Sequence, residues 1–255
     1  MTAAVAASAR FEMGRVITRT FGVIGRNFVV FALLALIVAG IPAALVNYLT
    51  EASRAGATFD ARLGSGIAGL ISLLASCVLQ AALIHGTISD LNGRKAVFGD
   101  CLSTGMRFLL PVLGVSILTG FAVVLGFVLL IVPGVLMALA WCVNVPVVVV
   151  ERRGVMSTFS RSADLTRGHR WPILGLFVAY GLVAWVIDVV GVVAAHGFSL
   201  ASLTAGGFNP VEWIVLTVVQ VVQALIGAAG LASIYYELRS NKEGVSAQQL
   251  ASVFD

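Results

Sequence analysis

Charged residues are scarce in this 255-residue chain: they make up 11% of it, against 59% hydrophobic residues. The mean hydropathy is +1.02. Soluble globular proteins have about 25% charged residues, so the composition excludes a soluble globular domain. We expect a single-domain, all-α, polytopic membrane protein, because long apolar runs can satisfy their backbone polar groups in lipid by forming helices.

Cysteine is rare as well. Cys77 and Cys142 fall within predicted spans, and Cys101 falls in a basic segment. The chain has no CxxC motif, and no histidine stands near a cysteine at metal-ligand spacing. We therefore expect no disulfide, no metal site and no cofactor.

Catalytic motifs are missing too: the chain contains no HExxH, no GxSxG, no P-loop and no glycine fingerprint after a strand. We therefore expect no enzymatic activity. The net charge of +4 could suit nucleic acid, but the basic residues flank apolar runs and form no isolated patch with interleaved aromatics. The expected partners are anionic lipid headgroups and other membrane proteins, not nucleic acid.

Long apolar runs dominate what is present. The uncharged run 108–150 is about twice the ~20 residues that cross a bilayer, so it predicts a hairpin of two spans with its turn at Pro133-Gly134. The first run is too long for the core of a signal peptide, and we expect it to remain uncleaved. In all, the sequence predicts a tail and interfacial helix over 1–27, six spans at about 28–48, 64–88, 108–132, 135–150, 171–195 and 213–236, and a cytoplasmic tail over 237–255.

Each predicted hairpin follows a segment with an amphipathic pattern, and we call these segments collars: residues 11–26, 97–108 and 152–170. In the first collar, a helical wheel separates the arginines from an apolar face, which is typical of a helix in the membrane interface; a helix packed on a core is the alternative. In the third, Ser157 or Thr158 is predicted to cap a helix that Gly168 ends. The recurring scheme indicates an internal repeat, clearest in RFLLPVLG at 107–114 and RWPILG at 170–175.

The distribution of basic residues predicts orientation. Of 16 Lys and Arg residues, only Arg54 and Arg62 fall on the side opposite the collars, so both termini are expected in the cytoplasm of a bacterial inner membrane. The collar arginines could also bind anionic headgroups, although topology alone explains the same charges. The headgroup candidates are Arg15, Arg19, Arg26, Arg152, Arg153, Arg161, Arg167 and Arg170.

Four polar residues fall at similar depth within the spans: Asn144, Asp188, Gln220 and Gln223. An ionisable group at that depth costs ~2.5–3.5 kcal/mol, so we expect Asp188 to face other helices. The layer could form a small-molecule or ion site, or it could supply interhelical hydrogen bonds worth ~0.6 kcal/mol each. Pro146 weakens the backbone hydrogen bonding of the fourth span beside Asn144, so a small-molecule or ion site stays open as an interpretation.

Three blocks carry a family resemblance: FEMGRVITRTFGVIGRNF at 11–28, VPGVLMALAWCVNVPVVVVERRGV at 132–155 and SRSADLTRGHRW at 160–171. Together they resemble the membrane domain attached to some bacterial glycerophosphoryl diester phosphodiesterases, and YciC-type inner-membrane proteins. The resemblance implies six spans in a bacterial inner membrane. It implies no catalytic residues, because in those fusions hydrolysis belongs to a separate soluble barrel domain, which we expect this chain to lack.

Two classes of function follow. One is a non-enzymatic membrane module that organises anionic lipids or partner proteins through its collars. The other is a transporter or channel subunit that uses the polar layer.

Overall fold

A computed structural model describes residues 11–54, 59–196 and 210–243, and every regular element in these ranges is helical. Six helical segments are long and apolar enough to cross a membrane. The predicted all-α architecture with six spans is therefore confirmed. The spans are Phe28–Leu49, Gly66–Leu91, Leu109–Leu129, Ile131–Glu151, Arg170–Ala194 and Ile214–Glu243.

Individual helices subdivide these spans and connect them. A five-residue π-helix, Leu36–Gly40, separates the second helix from the third and is followed by Pro42, which cannot donate a backbone hydrogen bond. The helices are α1 Met13–Arg26, α2 Phe28–Ala35, α3 Ile41–Arg54, α4 Phe59–Leu91, α5 Phe98–Arg107, α6 Leu109–Leu129, α7 Ile131–Ala140, α8 Asn144–Glu151, α9 Val155–Thr166, α10 Arg170–His196 and α11 Pro210–Glu243.

Consecutive spans contact each other as α3 with α4, α6 with α7, and α10 with α11. The second and fourth spans lie deepest, with 44% and 50% of their apolar windows buried, whereas the fifth is only 11% buried. The fifth span is thus peripheral. Helices α4 and α11 contact each other and also helices from the other pairs, so they join the pairs into one bundle.

The collar helices gather at one end of the bundle. Helix α1 packs on α11 and α4, α5 packs on α4, and α9 packs on α8, α7 and α11. Ion pairs from α1 and α9 reach the C-terminal ends of the second, fourth and sixth spans. We call this the basic end. The position of α1 in a membrane interface stays a prediction.

The turn between the third and fourth spans lies at Leu130, which has extended backbone (φ −165°, ψ 151°), three residues before the predicted Pro133-Gly134 turn. Pro133 is the third residue of α7, where a backbone N–H would have no helical partner anyway. Glycine is needed at 134 for packing, because a Cβ there would lie 2.6 Å from Cγ of Phe127. The two helices therefore approach closely just past the turn.

The fourth span consists of two helices, although one continuous span over 135–150 was predicted. Helix α7 ends at Ala140 and α8 begins at Asn144. In a continuous helix, the ring of Pro146 would clash with the carbonyl of Cys142. The break places Pro146 in the first turn of α8, where proline is tolerated.

The predicted caps of the third collar have a mixed outcome. Ser157 and Thr158 do not cap α9, because the N-cap is Gly154. Both hydroxyls instead donate to the carbonyl oxygen of Gly154, at 2.8 and 3.0 Å. Gly168 follows the helix with a left-handed backbone (φ 89°), as predicted for a residue that ends a helix.

The predicted cytoplasmic tail over 237–255 begins as helix. Helix α11 continues to Glu243, seven residues beyond the predicted end of the sixth span. Glu237 and Leu238 in this extension are fully buried. The remaining residues, 244–255, and the predicted tail at 1–10 lie outside the described residues, as does the loop 197–209.

Helices α4 and α5 touch through glycine. A Cβ at Gly105 of α5 would lie 2.5 Å from the backbone oxygen of Val78 in α4. That contact is with backbone, which cannot rotate away as a side chain can. Gly99 in the same helix has open space around its Cβ position.

This pair of glycines gives a matched test of the packing. We expect Gly105→Ala to lower the free energy of unfolding in detergent by about 1–3 kcal/mol, the usual cost of overpacking. Gly99→Ala should be neutral or slightly stabilising, since alanine favours helix. Thermal unfolding of the two purified variants measures the difference. Equal melting temperatures would contradict this packing.

Candidate functional site

A fully buried carboxylate anchors the first collar to the sixth span. Glu237 of α11 has no exposed side-chain area and forms ion pairs with Arg15 and Arg19 of α1. The guanidinium carbon of Arg19 also lies 5.1 Å from the ring centroid of Tyr236. A charge at such a position is tolerated because opposite charge reaches it directly.

A second carboxylate, on α4, contacts the C-terminal end of α1. Asp90, in the last turn of α4, accepts hydrogen bonds from Arg26 Nε at 3.1 Å and from Asn27 Nδ2 at 2.7 Å. The other side-chain atom of Asn27, Oδ1, accepts from the backbone N–H of Ala96 at 3.2 Å. Buried Asn27 therefore ties the junction of α1 and α2 to the loop that precedes α5.

A third carboxylate ends the fourth span. Glu151 pairs with Arg161 of α9 at 3.0 Å and with Arg153 at 2.7 Å, and it accepts a hydrogen bond from Tyr235 Oη at 3.0 Å. Arg161 also pairs with Glu243 at the end of α11. The third collar is thereby attached to both the fourth and the sixth spans.

These contacts divide the eight headgroup candidates. Five of them have carboxylate partners: Arg15, Arg19, Arg26, Arg153 and Arg161. Within the described residues, Arg152, Arg167 and Arg170 form no ion pair, and Nε of Arg170 is buried without a hydrogen-bond partner. The headgroup role of all eight stays a prediction, but the three unpaired arginines keep their charge uncompensated.

Three acidic residues, Asp90, Glu151 and Glu237, were missed as functional residues from the sequence. The sequence does contain a signal for them, because each of the three is the acidic residue at the C-terminal end of an even-numbered apolar run. The basic residues that they neutralise come from sequence positions up to 218 residues away, which no local pattern reveals.

The predicted polar layer does not converge on one point. Asn144 is buried and donates through Nδ2 to Oγ1 of Thr119 at 2.9 Å, between the fourth and third spans. Asp188 instead accepts from Nε2 of Gln223 at 2.8 Å, between the fifth and sixth spans. Gln220 forms no hydrogen bond to another described residue.

Asp188 was expected to face other helices, but its side chain is exposed at the edge of the α10–α11 contact. A small residue, Gly191, lies one turn later on the same helix. A Cβ at Gly191 would lie 2.8 Å from a methyl of Val219, so α10 turns the Gly191 face toward α11. This places Asp188 to one side, where Gln223 can still reach it.

A cavity of about 710 Å³ lies beside this contact, between α1 and the first, second, fifth and sixth spans. Gln220 and Gln223 of the polar layer line it, together with Tyr180 and Gln80. Tyr180 Oη donates to the backbone oxygen of Gln223 at 3.2 Å. The layer thus contributes two residues to a cavity, and Asp188, which is not part of the cavity wall, bonds to one of them, Gln223.

All three cysteines are free and lie in the described part of the chain. There, no three His, Cys, Asp or Glu residues lie close enough together to hold a metal ion. Cys101 was expected in a basic segment and lies in α5, 1% exposed. Burial, with a smaller contribution from Asp100, raises the pKa of its thiol to about 11.

Cys101 should therefore be chemically inert in the folded protein. A rise from the reference pKa of 9.0 to about 11 lowers the thiolate fraction near neutral pH by about a hundredfold. In a Cys77→Ala/Cys142→Ala variant, we expect alkylation by iodoacetamide at pH 7.5 to be at least about a hundredfold slower than after unfolding, and to accelerate as pH rises toward 11. Fast alkylation of the folded variant would contradict this environment.

Glu237 offers a direct test of the anchor between α1 and α11. We expect Glu237→Gln to lower the free energy of unfolding by about 2 kcal/mol, because two arginines lose their shared counter-charge. Glu12→Gln is the matched control, since Glu12 pairs with Arg15 while 55% exposed and such pairs contribute less than about 1 kcal/mol. Unfolding in detergent measures both. Equal destabilisation would show that Glu237 is no anchor.

Comparison with known proteins gives one relative. The chain is 27% identical to a UPF0259 membrane protein of Pectobacterium carotovorum, in a match that covers 58% of this chain and 65% of that protein. The chain thus spans less than two thirds of the relative. No family model matches the chain, and no solved structure matches it.

This relative supports one half of the predicted resemblance. UPF0259 proteins are YciC-like, so the likeness is to a bacterial membrane-protein family, whereas the likeness to the membrane domain of glycerophosphoryl diester phosphodiesterases stays a prediction. The name of the relative describes a membrane protein and names no reaction.

Proposed function

We propose that this protein is a non-enzymatic module of the bacterial inner membrane that binds anionic phospholipids at its basic end, with both termini in the cytoplasm. Six spanning helices support the membrane location. The skewed distribution of Lys and Arg supports the orientation, because basic residues are retained on the cytoplasmic side.

The observation that carries the lipid-binding role is the set of arginines without carboxylate partners. Arg152 precedes α9, and Arg167 and Arg170 follow it, so the three flank both ends of the helix that connects the fourth and fifth spans. Twelve residues of helix separate the two groups by about 18 Å. That spacing suits two separate headgroups better than one enclosed phosphate pocket.

The paired arginines have a different role in this proposal. A guanidinium already held by a carboxylate contributes little net charge, so Arg15, Arg19 and Arg26 position α1 and add little to headgroup attraction. Each unpaired basic residue near an anionic surface contributes ~1 kcal/mol, so three of them contribute ~3 kcal/mol, or roughly a hundredfold in affinity.

We expect Arg152→Gln/Arg167→Gln/Arg170→Gln protein to retain far less phosphatidylglycerol and cardiolipin through purification than wild type, with phosphatidylethanolamine unchanged. Mass spectrometry of copurified lipids measures this. The wild-type excess should also fall in 1 M salt, where the Debye length shortens to ~3 Å.

The matched control removes the same charge from paired arginines, in Arg26→Gln/Arg153→Gln/Arg239→Gln protein. Its lipid retention should fall less, because those guanidinium groups are neutralised by carboxylates. If both triple variants lose lipid equally, retention follows net charge alone and the assignment to the three arginines is wrong.

A second function, carriage of a small amphipathic molecule, is favoured by one observation: Gln220 and Gln223 of the polar layer line the cavity between the spans. Uptake into proteoliposomes would distinguish carriage from lipid binding. Carriage requires that the occupant exchange between the two leaflets, whereas headgroup binding requires no movement across the bilayer.

A further inference from the structure

The cavity between α1 and four spans has the dimensions and the lining of a ligand site. Its volume of about 710 Å³ falls within the ~300–1,000 Å³ typical of small-molecule sites. Apolar side chains form most of its wall, among them Phe21 of α1, Leu79 of α4, Leu176 of α10 and Val221 of α11. Because most of these walls belong to spans and the cavity is only partly enclosed, its occupant comes from the hydrocarbon phase.

Two amides in the wall lack partners. Gln80 of α4 and Gln220 of α11 line the cavity, and neither side chain forms a hydrogen bond with another residue in the described ranges. Gln80 lies ten residues before Asp90, about 15 Å from the basic end at 1.5 Å per residue. Gln80 is half-buried and Gln220 is exposed, and in hydrocarbon neither amide would have water to bond to, so an occupant that bonds to them is favoured.

Charge is absent from the wall. No Lys, Arg, Asp or Glu of the described residues lines the cavity. The arginines of the adjoining helix, Arg15 and Arg19, are held by buried Glu237. A phosphate or carboxylate drawn into this space would find no counter-charge, and burial of an unpaired ion is strongly unfavourable.

From these three observations we infer that the cavity binds one uncharged single-chain lipid, a monoacylglycerol or a prenyl alcohol. Its chain lies along the apolar wall, and its hydroxyl or ester group bonds to the amide of Gln80 or to that of Gln220. Glutamine suits such a group because it both donates and accepts. This site is separate from the headgroup sites at Arg152, Arg167 and Arg170, and each can fail without the other.

Two glycines permit a matched test. Gly230 of α11 lines the cavity, and a Cβ there would meet no atom within 4 Å, so a leucine side chain would project into the cavity without clashing at its base. Gly181 of α10 also has open space at its Cβ position but is exposed and lies outside the cavity wall. The same substitution at these positions fills the cavity in one variant and leaves it empty in the other.

The experiment uses a monoacylglycerol with a photoactivatable chain, added to the full chain in nanodiscs of phosphatidylcholine and mapped by peptide mass spectrometry. We expect cross-links in wild type to concentrate on the cavity stretches of α4, α10 and α11. Labelling should fall about tenfold in Gly230→Leu and stay at the wild-type level in Gly181→Leu. Unlabelled monoolein should compete about tenfold better than lysophosphatidic acid of the same chain, a difference of 1.4 kcal/mol.

A second variant keeps the test decisive if Gly230→Leu misfolds. Gln80→Leu/Gln220→Leu removes both amides, so labelling should weaken about tenfold and monoolein should lose its advantage. Three results would overturn the inference: wild-type labelling in Gly230→Leu, equal competition by the lysophosphatidic acid, or unchanged labelling when both amides are removed.

Discussion

The fold depends on three carboxylates at the ends of alternate spans. Asp90, Glu151 and Glu237 each close an even-numbered span and each pair with an arginine of a collar helix. In lipid, the hydrophobic effect does not drive helices together, since lipid tails are as apolar as leucine. Ion pairs at one end therefore supply specificity that apolar faces cannot, because they join particular collars to particular spans.

Close packing supplies the remaining cohesion, through glycines that no turn requires. Gly86 would bring a Cβ within 2.7 Å of Phe31, and Gly126 would bring one within 3.0 Å of the Cα of Gly134. Such contacts let helix surfaces meet over many atoms, and dispersion accumulates over those contacts. The ion pairs select which helices meet, and the glycines determine how near they come.

Hydropathy alone predicted the six spans, since span length is set by bilayer thickness and charge marks the ends. It failed where the outcome depends on a partner. The turn lies at Leu130, just before the close contact of Gly134 with Phe127, and Asp188 is exposed beside the contact of Gly191 with α11. The local hydropathy pattern shows which residues are apolar or charged. It does not show which helix each residue contacts, because that helix can lie far away in the sequence.

The same ion pairs make the cavity and the basic end differ in charge. Buried Glu237 and exposed Glu12 together offset the charge of Arg15 and Arg19 on the helix that walls the cavity, so the cavity offers amides and hydroxyls without a cation. Arg152, Arg167 and Arg170 pair with no carboxylate of the described residues, so their positive charge is not offset in this way. Selectivity here follows from where acids are placed, because a guanidinium neutralised by a buried acid exerts little attraction on a second anion. The two proposed sites, one for an uncharged lipid within the bundle and one for anionic headgroups at the basic end, both follow from this placement of the carboxylates.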